Sequence, residues 1–151
     1  MRGVVARGAT EVALALRVAA SCGLSGPLPI LSPPGAALWL GPSLFLAHIA
    51  AGRAMAGPGA PEALAVLDCG PAPGHALAAL RAGVPVVVLD PGLPAFPMLA
   101  SAAREAGVAL WPEAPPALGL GGRRPDHPAT AERLRRWLLE GGAGDSGERL
   151  R

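Results

Sequence analysis

"ALAVLDCGPAPGHALAALRAGVPVVVLD", residues 63–90, sets two apolar, partly β-branched runs, each closed by an aspartate, on either side of an Ala/Leu-rich segment of helical length. The runs "ALAVLD" (63–68) and "VPVVVLD" (84–90) lack the alternation of a half-exposed strand and suit strands buried on both faces. Between them "PGHALAALRAG" (73–83) opens on proline and ends on glycine, which is how helices are punctuated. Strand, helix and strand in this order predict a parallel sheet with helices packed on it, the α/β class.

The same rhythm continues in both directions. "TEVALALRVAASCG" (10–23) reads as a helix with Thr10 at its N-cap and Gly23 at its end. "LPILS" (28–32) reads as a strand whose Pro29 donates nothing to a ladder, and "GPSLFLAHIAAGRAM" (41–55) as a helix with Pro42 in its first turn. "PAFPMLASAAREAG" (94–107) and "VALWP" (108–112) add another helix and strand. The expectation is a four-stranded parallel α/β domain over 1–118, resembling half of a barrel. A Pro/Gly-rich linker at 119–128, starting as early as 113, leads to an Arg-rich amphipathic helix at 129–140 and a disordered tail at 141–151. In that helix Leu134, Trp137 and Leu138 form one stripe, with Arg133, Arg135 and Arg136 largely around it.

The 151 residues suit one domain, long enough to bury a core without disulfide or metal staples. Every basic residue is Arg, and Lys, Asn, Gln and Tyr do not occur, a bias of coding composition that weakens any functional argument from Ala, Gly, Pro or Arg content. The net charge of +2 arises after residue 118, where seven Arg face five acids. So mild a surplus without interleaved aromatics argues against nucleic acid. Cys22 and Cys69 make no disulfide framework and suit reduced thiols in a cytoplasmic protein. "RVAASC" (17–22) is rejected as a lipoprotein box because Glu11 and Arg17 interrupt the apolar run before it. "AALWLGPSLFLAHIAAG" contains Pro42 and His48 and is too short for a membrane span.

In parallel α/β folds ligands gather at the carboxyl ends of the strands. Here those ends carry Ser32, Asp68, Cys69, Asp90, Trp111 and Glu113. Asp68 and Asp90 also suit a structural role, as carboxylates near helix starts. Cys69 suits a small buried thiol, His75 a solvated residue, His48 a hydrogen-bonded one in an apolar helix, and His127 a place in the linker. "PPGAA" (33–37) could offer N–H groups to a phosphate, although prolines supply few donors.

"ILSPPGAALWLGP" (30–42), "AVLDCG" (65–70), "LRAGVPVVVLDPGLPAF" (80–96) and "REAGVALWPEA" (104–114) resemble, in order and spacing, the N-terminal half of class II fructose-bisphosphate aldolases, metal-dependent (β/α)8 barrels. The resemblance runs from about Glu11 to Glu113. It implies that Asp68 stands at the family's catalytic acid/base aspartate. Cys69 then replaces a metal-binding histidine, Val66 the first histidine of the same motif, and Trp111 the first glutamate of Glu-x-Glu, with Glu113 matching the second. The family's remaining metal histidines and phosphate loops belong to later strands that this chain does not contain.

A Lewis-acid aldolase needs several fixed ligands and an open coordination position. Asp68 and Cys69, with His75 or Glu113, would make a meagre Zn2+ set, and neighbours on a strand point to opposite faces. The leading expectation is therefore a non-catalytic binding or assembly module, a pseudoenzyme with no metal or cofactor. Its candidate ligand site is Ser32, Asp68, Cys69, Asp90 and Glu113, for a small phosphorylated ligand or a protein partner. Self-association would cover the exposed edges and apolar face of a half barrel, and the C-terminal helix offers a second surface for a partner. The alternative is a lyase of the aldolase type that becomes active when two chains complete a barrel around Asp68.

Overall fold

A computed structural model describes residues 1–144, so most of the tail expected at 141–151 lies outside the described residues. The element order is β1 (Gly3–Val5), α1 (Ala9–Ser21), β2 (Leu28–Leu31), a short 3-10 turn (Ala36–Leu38), α2 (Pro42–Ala56), β3 (Ala63–Asp68), α3 (Pro73–Arg81), β4 (Val86–Val88), α4 (Phe96–Ala106), β5 (Ala109–Trp111), β6 (Ala117–Gly119) and α5 (Pro128–Gly144). The expected α/β class and parallel sheet are present, but the sheet has six strands, not four, in the order β5-β4-β3-β2-β1-β6. β1 and β6 are the additions. Each has three residues and pairs with the other in parallel, Val4 opposite Leu118. β6 lies inside the stretch from residue 113 that was expected to be a linker.

From β1 to β5 each strand lies beside the one before it, so right-handed crossovers set α1 to α4 on one face of the sheet. The main core lies there. Val4, Ile30, Leu67 and Val87 from the strands pack with Leu16, Phe45, Leu80 and Leu99 from the helices. α1 and α2 come close enough that a Cβ at Gly52 would overlap the Val12 side chain, so glycine is what permits this helix pair. α5 joins the same core through Leu134 and Leu138.

The other face carries no helix from these crossovers, yet Leu31, Val66, Val86 and Val88 form a second buried cluster there, with Val5, Leu64, Trp111 and Ala117 packed against it. Such burial needs the sheet to curl upon itself. Chain length says the same. β5 and β6 are opposite edges of a six-stranded sheet, about 24 Å apart if it were flat. The six virtual bonds from Trp111 to Ala117 span at most about 21 Å. The apolar face expected to lie uncovered is therefore covered by its own curvature.

Candidate functional site at the strand carboxyl ends

The period of two along β3 decides what its end can do. Asp68, paired with Val88, leaves the strand on the concave face, whereas Cys69 follows Leu67 into the core beneath the helices. Cys69 is fully buried, and that burial, followed by the Asp68 charge, pushes its thiol up to about 12. Protonated and enclosed, it is neither a nucleophile nor a ready metal ligand near neutral pH.

The polar groups predicted from sequence are drawn together partly, and mainly around the backbone. The Asp68 N–H donates to Ser32 Oγ at 2.9 Å, and the Ser32 hydroxyl donates to the Pro33 carbonyl at 3.2 Å. Asp68 Oδ1 accepts from the Gly70 N–H at 2.8 Å, closing a turn in which Gly70 has φ +51°. A side chain is disfavoured at Gly70 by that angle, and a Cβ there would lie 3.6 Å from Gly35 Cα, so two loops touch at this point. Asp90 repeats the arrangement, its Oδ1 accepting from the Gly92 N–H at 2.8 Å while its own N–H donates to the Gly70 carbonyl at 2.9 Å. Ser32, Asp68, Cys69 and Asp90 thus knit adjacent strand ends together. Glu113 is exposed in the bend after β5, outside this hydrogen-bonded set.

The other sequence candidates are scattered. His75 is exposed in the first turn of α3, and His48 is half-buried on α2. His127 stands before α5, where its Nδ1 accepts from the Ala129 N–H at 3.1 Å. Among the described residues, no group of three or more His, Cys, Asp or Glu is placed to hold a metal ion, and no helix is long and apolar enough to cross a membrane. In the loop 33–37 Pro33 and Pro34 have no N–H, and the Ala36 N–H donates to the Pro33 carbonyl, so one of the loop's three donors is already committed.

Two features escaped the sequence reading. Leu38, Trp39 and Leu44 stand exposed around the start of α2, with Trp39 67% exposed. Their apolar run is too short for a membrane span and reads as a helix from residue 41, and only the tertiary fold decides which side of it faces outward. The second is the basic loop between β6 and α5, hidden while residues 113–127 read as linker. Comparison of the chain with protein-family models, curated proteins and solved structures finds no match.

Proposed function

We propose that this protein is a non-catalytic binding and assembly module that self-associates, built on an incomplete barrel of the kind that aldolases close. The one-directional order of β1 to β5, with β6 returning to pair with β1 as a last strand does in a barrel, supports the barrel likeness. The main support for a non-catalytic role is that the strand-end groups are committed to structure. Asp68 and Asp90 each hold a turn, Ser32 supports the Asp68 backbone, and Cys69 is enclosed.

The exposed apolar residues at Leu38, Trp39 and Leu44 supply the assembly surface. This patch has no charge of its own, so a two-fold contact between identical patches brings no like charges together. The outer face of α5 is charged, with Arg133, Arg135 and Arg136 exposed beside Glu132 and Glu140, and burying it against a copy would desolvate those charges. The patch around Trp39 is therefore the favoured self-contact.

Light scattering on the purified chain, together with its metal content, tests the proposal. The expected result is a dimer or larger oligomer without stoichiometric metal. Trp39→Ser, a change at an exposed position, should shift it toward monomer while leaving its far-UV circular dichroism unchanged. A wild-type monomer at tens of micromolar would overturn the assembly reading. Stoichiometric Zn2+ that is lost in Asp68→Ala would instead favour the lyase.

A further inference from the structure

β6 runs parallel to the other strands, so its carboxyl end opens on the same edge of the sheet as Ser32, Asp68 and Asp90. From there Leu120, which is buried, and the turn at Gly121–Gly122 lead into "RRPDHPAT" (123–130). The segment is held at several points. The Arg123 N–H donates to the Leu120 carbonyl, the His127 N–H to the Arg124 carbonyl, and buried Thr130 donates its hydroxyl to the Arg124 carbonyl at 2.9 Å. These bonds shape a cavity of about 200 Å³ lined by Arg123, Arg124, His127, Ala129 and Thr130.

Two arginines and a histidine are among the lining residues and no acidic residue is, and α5 has no acidic residue in its first turn. Arg124 is held by the exposed Asp126 beside the cavity, its Nη2 lying 3.1 Å from Asp126 Oδ2 and its Nε 3.3 Å from Oδ1. Among the described residues Arg123 forms no ion pair. The α5 terminus is already capped, since the Ala129 N–H donates to His127 Nδ1 and the Thr130 N–H to the His127 carbonyl. Attraction for an anion thus comes from the arginines. The depression is open to solvent, its arginines exposed, and its volume lies below the roughly 300–1,000 Å³ of sites for drug-sized ligands.

We propose that this cavity binds a phosphate group, free or carried by a small soluble ester, through Arg123 and Arg124. The Arg124 fork that now meets Asp126 turns to the phosphate oxygens, a geometry that guanidinium matches with two parallel hydrogen bonds. The site uses neither the patch around Trp39 nor Asp68, so it stands whether or not the chain self-associates.

Titration calorimetry with inorganic phosphate on the full chain at low ionic strength tests it, with backbone amide NMR to locate binding. Saturable binding of one phosphate per chain is expected, with shifts at the Arg123, Arg124, Ala129 and Thr130 amides. Arg123→Ala with Arg124→Ala should weaken it roughly tenfold or more. Asp126→Asn, which releases Arg124, should tighten it. Absence of saturable binding, or an affinity unchanged in the double variant, would overturn the site. In the lipid arm, phosphatidylserine vesicles that capture the protein without competition from inorganic phosphate would also overturn it, assigning the arginines to a membrane surface instead.

Discussion

Cys69 and Asp68 are neighbours whose surroundings differ as much as any two in the molecule. Period-two geometry already predicted that their side chains diverge unless the strand had ended, and β3 keeps its alternation through this pair. With the Cys69 thiol pushed up from 9.0 to about 12, the native protein keeps a proton that the unfolded chain releases above pH 9. The native state then binds more protons, so stability contributed by this group is intact below pH 9 and falls as pH rises toward 12, by up to about 1.4 kcal/mol per pH unit. Chemical denaturation at pH 8 to 11 should show a shallower decline in Cys69→Ala than in wild type. In the folded protein at pH 8, iodoacetamide should label the half-buried Cys22 well before Cys69, as mass spectrometry of the alkylated peptides would read.

At the scale of elements, legibility followed the length of the apolar run around each strand, not of the strand itself. β3 and β4 sit in continuous apolar runs and could be read directly, as could the helices punctuated by proline and glycine. β1, "GVV", lies between Arg2 and Arg7, and β6, "ALG", lies among prolines and glycines. Three residues carry almost no period; β1 is held between β2 and β6, and β6 forms on the edge that β1 supplies. α5 was legible as an amphipathic helix, but what its stripe covers was not. It packs on the chain's own α1 and reaches the start of β1: Trp137 Nε1–H donates to the Gly3 carbonyl at 2.9 Å, and the Arg2 guanidinium stacks 4.3 Å from the Trp137 ring centre. Arg2 also reaches Glu140 at 3.6 Å. Trp137→Ala should cost about 3 kcal/mol in urea unfolding, and Trp137→Phe about 1 kcal/mol, because phenylalanine keeps the ring and loses the hydrogen bond.

For the whole molecule, curvature depends on the connection between β5 and β6. Residues 112–116 are too few for a helical crossover, which takes about a dozen residues, so β6 cannot pair with β5 in parallel and pairs with β1 instead. Removing Ala114 and Pro115 would leave a reach of about 14 Å, too little for the present curl. The expected outcome is loss of the β6 pairing to β1, read as faster amide exchange at Gly3 and Val5, whose N–H groups face β6, and greater binding of a hydrophobic dye. The same reasoning marks where sequence reading stopped: strand-end residues are a local matter, whereas strand count and closure depend on pairing edges and on a link whose length matters only once both edges are known.

The pairing of β1 with β6, and of Gly3 with Trp137, also bears on how the protein is made. A ribosome releases β1 more than a hundred residues before its outer neighbour, so the nascent chain carries an open sheet edge and an empty place for an indole ring through most of its synthesis. The intermediate from which α5 is still missing is then the species most exposed to aggregation and proteolysis. Slowing translation at any point between β1 and α5 would lengthen that exposure.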